Sequence, residues 1–308
     1  MSAVTSADTR SEQVTNLGSA GESAASSSGR SVRTSTALTV ILPCYNEAQR
    51  LPETLQTLLA HLSETPGEVE VLVVDDGSTD ATVMVADAVA AVDRRVRVLS
   101  YQPNRGKGFA VRTGMLAAEG ELVIFTDADG SYGPRDLDRI LGALGEAPVA
   151  IGSRASRASG ASGPVARRAA SRVFNLAIRR SLGLRFGDTQ SGLKGFRRAA
   201  AQAIFRQARV DGFAFDVEVL WLAGQLGLEV AEVAVQAMER PGSKVQMLAD
   251  ALGMLGEVWA VRRARTNGAY DAGGEAPNPP SNEMAAGLAE LPLTAATPSG
   301  IPAALQVS

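Results

Sequence analysis

Short β-prone runs alternating with helical stretches predict an α/β protein with a mostly parallel sheet and helices on both faces. Two observations carry this expectation. Five such runs between residues 38 and 152 each lead into a polar or glycine-containing loop, with helical stretches between them. One of them, Glu121 to Thr126, stops at Asp127-Ala-Asp129-Gly130. That places two carboxylates beyond the carboxyl end of a buried strand, where open α/β sheets bind their ligands.

Taken in order, Leu38–Leu42 is the first strand, stopped by Pro43, and Cys44 to Glu47 form the loop before an amphipathic helix over Arg50–Ser63. Val69–Val74 is the second strand. Ser78 or Thr79 is the expected N-cap of the helix running to about Ala91. Val96–Ser100, Glu121–Thr126 and Val149–Gly152 are the remaining strands of this half, interleaved with helices over Gly106–Ala118 and Arg135–Leu144. Further on, the stretch from Asp216 has helical apolar spacing and Glu229–Ala237 alternates like a strand.

The ends differ from the middle. Residues 1–36 are rich in Ser, Ala, Thr and Gly, while 268–308 are rich in Pro, Ala and Gly and lack Lys and Arg. Neither has apolar periodicity, so both are read as disordered tails around a folded domain at 37–267. The four acids of the C-terminal tail account for the acidic balance: the chain as a whole carries −3, residues 37–267 carry +1. The single cysteine, Cys44, excludes an internal disulfide and suits a reducing compartment. No run has the length and apolarity of a membrane span, and a cytoplasmic location is expected.

The loops offer chemistry. Asp127 and Asp129 present hard oxygen donors suited to Mg²⁺ or Mn²⁺, or else form a surface turn. Asp76 ends a buried strand and is placed to accept hydrogen bonds from a base or ribose, or else to shape a turn and cap; Tyr45 offers a stacking face and Glu47 a further acceptor. Asn104-Arg-Gly-Lys-Gly108 precedes a helix and invites phosphate, with Lys107 as the cation. The spacing of a Walker loop is absent, and the first strand–helix turn lacks G-x-G-x-x-G. His61 is read as a surface or packing residue.

Pro43-Cys-Tyr-Asn-Glu47, Val74-Asp-Asp-Gly-Ser78, Asn104-Arg-Gly-Lys-Gly108, Thr126-Asp-Ala-Asp-Gly130 and Gly152-Ser-Arg154 stand in the order and spacing of glycosyltransferase family 2. Asp188-Thr-Gln-Ser-Gly192, Phe215-Asp-Val-Glu218 and Pro241-Gly-Ser-Lys244 resemble its dolichyl-phosphate β-glucosyltransferase branch. The resemblance covers residues 37–265. It implies an A-type glycosyltransferase domain with a Rossmann-like nucleotide-binding half, moving a sugar from a nucleotide diphosphate to a polyprenyl monophosphate. It assigns Pro43, Tyr45, Glu47 and Asp76 to the nucleotide, and Asp127 and Asp129 to the metal and diphosphate. Ser131 stands where the related mannose synthases usually carry Gln. The eukaryotic relatives also carry an N-terminal membrane helix, for which this chain has only the polar 1–36 stretch.

Between Arg154 and Arg198 eleven basic residues face one acid, Asp188. That excess suits phosphate monoesters and anionic headgroups, and aromatics are too sparse for a single-strand nucleic-acid binder. Arg154 and Arg168 are expected to face an acceptor phosphate, closed from a later loop by Arg240 and Lys244. The 244–264 stretch, amphipathic with a basic end, lies at a membrane surface or packs on its own domain. Asp216 and Glu218 are catalytic candidates or helix-capping and packing residues.

The expected reaction is inverting transfer of a hexose, glucose from UDP-glucose, to a polyprenyl phosphate at the inner face of the plasma membrane. Asp129, Arg154 and Arg168 would carry the catalysis. The alternatives are a GDP-mannose-dependent polyprenyl-phosphate mannosyltransferase and an enzyme for a soluble hydroxyl acceptor, for which Asp188 would be the base.

Overall fold

The computed structural model describes residues 36–154 and 183–238, together with Gly256, Val261, Arg263 and Tyr270. The expected 244–264 helix as a unit, the 1–35 stretch, and Arg168, Arg240 and Lys244 lie outside the described residues.

Strands β1 (Thr36–Cys44), β2 (Glu68–Asp76), β3 (Val96–Tyr101), β4 (Leu122–Thr126) and β5 (Val149–Ser153) fall where the sequence predicts them. Between them run α1 (Leu51–Leu62), α2 (Thr82–Ala90), α3 (Lys107–Ala117) and α4 (Pro134–Leu144). β6 (Leu193–Arg197), α5 (Arg198–Phe205), α6 (Phe215–Gln225) and β7 (Val230–Ala234) follow. The seven strands form one sheet in the order β3-β2-β1-β4-β6-β5-β7. Every pairing is parallel except those of β6, which runs antiparallel to both β4 and β5.

Strands covered on both faces read as continuous apolar runs, because each successive side chain enters one core or the other. β1 sends Leu38, Val40 and Leu42 to one side and Ile41 to the other; β2 divides Val71 and Val73 from Leu72 and Val74 in the same way. One core is closed by α1, α2 and α4 through Leu51, Leu55, Ala86, Leu137 and Ile140. The opposite core is closed by α3, α5 and α6 through Val111, Ile204, Phe205, Phe215 and Leu220.

The order places β1 between β2 and β4. The chain runs from β1 outward to β2 on one side and from β4 outward to β5 on the other, so the strand order reverses between them, and the crevice outside those strand ends is where a ligand fits. The loops carrying Tyr45, Asp76 and the Asp127/Asp129 pair all open there.

Strand β6 was not expected, since Leu193-Lys-Gly-Phe-Arg197 puts a lysine at a core position. Lys194 has no exposed surface. Its Nζ is 2.5 Å from Asp216 Oδ1 and donates to Ser191 O at 2.7 Å. A paired charge thus occupies a place that an apolar pattern would have filled. The expected caps of α2 need correction as well: the helix starts at Thr82 after Ala81, with no side-chain cap. Ser78 and Thr79 are used elsewhere, as described below.

Composition assigns Tyr270 to the C-terminal tail, yet its ring packs edge-on against Trp221 with centroids 4.9 Å apart, and its hydroxyl donates to Glu218 Oε1 at 2.6 Å. The packed part therefore extends past residue 267. A fragment ending at 271 is expected to fold and to melt several degrees above one ending at 267. The shorter form loses a charge-assisted hydrogen bond and an aromatic contact, each worth on the order of 1 kcal/mol. Equal melting temperatures would show that Tyr270 contributes nothing.

Candidate active site

The site begins with a clasp between the first two strand ends. Asn46 takes φ +56°, a left-handed conformation that Asn tolerates better than most residues. Its backbone N–H donates to Ser78 Oγ at 2.8 Å, and its Oδ1 accepts from Thr79 N at 2.8 Å. Glu47 N donates to Thr82 Oγ1 at 2.7 Å, while Arg50 grips the Glu47 carboxylate with two bonds of 2.6 Å. Tyr45, 42% exposed, sits outside this clasp with its ring at the surface. Pro43 is half-buried beside it at the end of β1.

The two aspartates ending β2 play different parts. Asp76 accepts from Arg105 N at 2.7 Å through Oδ1, and from Gly106 N and Asn104 Nδ2 at 2.8 Å through Oδ2. Burial raises its pKa against the pull of those N–H donors. Its oxygens thus organise the 104–106 loop. Asp75 is fully buried; Oδ2 accepts from Ser100 Oγ at 3.0 Å and Ser78 N at 3.2 Å, and Oδ1 has no hydrogen-bond partner. An unsatisfied buried carboxylate oxygen is costly. Sequence reasoning passed over Asp75; the only signal was its place as the first acid after a buried run.

Lys107 opens α3. Gly106, just before it, takes φ +103° and lies so near the 211 backbone that a Cβ would come 2.5 Å from Asp211 O. That packing holds the loop, and Lys107 Nζ reaches Asp127 Oδ1 at 2.5 Å. Burial lowers the lysine pKa, but the charges of Asp127 and then Asp216 outweigh it and hold the ammonium well above its usual value. Behind stands the buried Lys194–Asp216 pair. Four charges of alternating sign, Asp127, Lys107, Asp216 and Lys194, therefore lie beneath the end of β4.

The loop bearing the acidic pair is tied on three sides. Thr54 Oγ1 donates to Ala128 O at 2.8 Å and Met238 N donates to Ser131 O at 2.8 Å. Tyr132 Oη accepts from Gly192 N at 3.0 Å and lies 3.1 Å from Ser191 Oγ. Gly192 is required here, because a Cβ would overlap the Asp127 carboxylate. Asp129, half-buried, accepts from Ser131 N at 2.9 Å. Among the described residues no group of three or more His, Cys, Asp and Glu side chains is arranged to hold a metal. The donor set is the Asp127/Asp129 pair, hard oxygen ligands that fit Mg²⁺ or Mn²⁺ with positions left for phosphate and water.

Arg154, at the end of β5, binds Asp188 through Nε at 2.7 Å and Nη2 at 3.2 Å. Burial raises the Asp188 pKa, but the hydrogen bond and charge of Arg154 prevail and hold the carboxyl below its ordinary value. Such a carboxylate is a poor proton acceptor, against the reading of Asp188 as a base.

The basic excess needs correction. Among the described residues Lys194 is a core ion-pair partner, Arg197 donates to the carbonyls of Leu144 and Gly145 at 2.9 and 2.8 Å, and Arg198 donates to Glu119 O at 3.2 Å. Helix ends and core take these cations, so they add nothing to a phosphate pocket. Asp216 faces Lys194, and Glu218 receives the backbone N–H groups of Arg209 and Val210 at 2.9 Å, a loop-capping role. His61 bridges α1 to Asp138 on α4 at 2.8 Å, far from this chemistry.

An acidic pair on the loop after β4, at the switch point of a sheet with one reversed strand, is the arrangement of an A-type glycosyltransferase domain. Residues 39–205 match the family described as Glycosyl transferase family 2, and the chain belongs to that family. It is 43% identical over 227 residues to the dolichyl-phosphate beta-glucosyltransferase of Drosophila melanogaster, covering 68% of this chain and 69% of that one. Against the human protein of the same name the identity is 34% over 232 residues, with the same coverage. Glucosyl-3-phosphoglycerate synthase from Mycobacterium tuberculosis, solved with Mn²⁺, UDP and glucosyl-3-phosphoglycerate, shares the fold with a TM-score of 0.52 and 22% identity over 79% of this chain and 81% of that one.

Stability in acid tests the Arg154–Asp188 pairing. A carboxylate with a depressed folded-state pKa stabilises the protein above its unfolded pKa, and that stabilisation is lost as pH falls through the folded value. Wild type is therefore expected to exceed Asp188→Asn in stability at neutral pH, with the gap closing below about pH 4. A gap that stays constant in urea unfolding from pH 7 to pH 3 would contradict the pairing.

Proposed function

We propose that this domain is an inverting, metal-dependent transferase that moves glucose from UDP-glucose to a polyprenyl phosphate at the cytoplasmic face of the membrane. The observation that carries the acceptor class is the commitment of Asp188 to Arg154. A hydroxyl acceptor needs a base, whereas a phosphate monoester, with a second pKa of about 6, is already an anion near neutral pH. The similarity to dolichyl-phosphate beta-glucosyltransferases over two thirds of the chain supports both donor sugar and lipid.

In this reading Asp127 and Asp129 hold Mg²⁺ or Mn²⁺, which when bound neutralises charge on the departing nucleotide diphosphate. The glucosyl-3-phosphoglycerate synthase of the same fold, crystallised with Mn²⁺ and UDP, is a precedent. Tyr45 supplies a face for the base, and Asp76, at the end of β2, is proposed to border the base or ribose while its oxygens fix the loop that aims Lys107. Pro43 and Glu47 shape the base pocket from the clasp. Arg154, half exposed, turns the rest of its guanidinium to the acceptor phosphate. Arg168, Arg240 and Lys244 are proposed to complete that phosphate site. The acceptor oxygen attacks the anomeric carbon opposite the leaving diphosphate, inverting its configuration. No helix among the described residues is long and apolar enough to cross a membrane, and contact with the lipid surface is proposed to be peripheral, through the amphipathic 244–264 stretch with its basic end.

Radiolabelled UDP- and GDP-sugars incubated with the protein, Mg²⁺ and a short-chain polyprenyl phosphate test the reading. Label is expected in the organic extract with UDP-glucose, and Asp129→Asn is expected to lower the rate on the order of 10²-fold or more. Extraction of label from GDP-mannose alone would overturn the donor assignment. Transfer only to a water-soluble acceptor would overturn the lipid.

A further inference from the structure

The ladder of charge beneath β4 suggests a role for Lys107 beyond a contact to phosphate. Its ammonium lies 2.5 Å from Asp127 Oδ1, on one of the two carboxylates proposed to hold the cation. The backbone at Lys107 is fixed: Gly106 is wedged against Asp211 O, and Gly108 against Val210 O and Phe215 Cβ. Only the flexible four-carbon stem can move. Within the pull of the same ammonium is a second carboxylate, Asp216, which is buried and anchored by Lys194. Asp127, by contrast, is partly exposed, and its carboxylate lies so close to Gly192 that no side chain could stand there.

We propose that Lys107 is the resident counter-ion of the acidic pair, holding Asp127 until a divalent cation and nucleotide arrive together, and then turning to the incoming diphosphate. The inference rests on the metal reading above and deepens it. A cation alone must displace a nearby ammonium from Asp127, whereas a cation arriving with a diphosphate offers that ammonium new anionic partners. Cation binding thereby becomes coupled to nucleotide binding, a reciprocal linkage in which each favours the other. Lys107 acts here as a positioning residue.

The test is Mn²⁺ binding to the full-length protein, followed by electron paramagnetic resonance of the free ion, with and without UDP. Wild type is expected to bind Mn²⁺ weakly alone and much more tightly with UDP. Lys107→Met and the polar Lys107→Gln are expected to bind Mn²⁺ alone roughly fivefold to tenfold tighter, the scale of a partly buried ion pair, and to gain far less from UDP. Lys107→Arg, which keeps the charge, is expected to behave as wild type. If both neutral variants bind Mn²⁺ alone no better than wild type while Asp127→Asn loses binding, the counter-ion role is wrong and the metal site stands. If Asp127→Asn and Asp129→Asn bind as wild type does, both fall.

Discussion

A lysine with no exposed surface has to be neutralised where it stands, and the partner that neutralises Lys194 also arranges the site. Asp216 is held by that lysine at 2.5 Å. Fixed in turn, it helps keep Lys107 charged at the start of α3, and Lys107 meets Asp127 on the loop after β4. The reversed strand β6 supplies Lys194, α6 supplies Asp216, α3 supplies Lys107 and β4 leads into Asp127. Four elements from distant parts of the chain are thereby tied at one point. Removing one partner of the buried Lys194–Asp216 pair leaves the other buried and unpaired, commonly a cost of about 3–5 kcal/mol.

The sheet explains why those elements meet there. β1 lies between β2 and β4, and the loops leaving their carboxyl ends converge on one crevice. Asn46 clasps the first loop to the second, Asp76 clasps the second to the loop before α3, and Tyr132 joins the acidic loop to Gly192. The side chains left at the crevice include a surface aromatic, Tyr45, and the acidic pair. They suit a base and a metal-bound diphosphate, as the proposed donor requires.

Much of this was legible in the residues. The five strands from 38 to 152 declared themselves because strands buried on both faces are unbroken apolar runs, and the acidic pair stood out by ending one of them. β6 was illegible for the converse reason: its core lysine is intelligible only once Asp216 is known to lie across from it, and that contact spans |i−j| = 22. Asp75 and Asp76 are neighbours of the same type, and only the fold shows that one serves a loop while the other keeps an oxygen without a partner. Charge counting along the chain misread Lys194, Arg197 and Arg198, since a count cannot see which cations are taken up by helix ends or the core. Tyr270 was hidden by the composition around it.

The account stands on the acidic pair holding a cation against a nucleotide diphosphate inside this ladder. Phosphorus NMR of UDP with a trace of Mn²⁺ measures that directly, because the paramagnetic ion broadens only nuclei held close to it. With wild-type protein the diphosphate resonances are expected to broaden well beyond the effect of Mn²⁺ and UDP alone. With Asp127→Asn combined with Asp129→Asn that excess is expected to vanish. Equal broadening in the double variant and wild type would contradict the account, by placing the cation somewhere other than the end of β4.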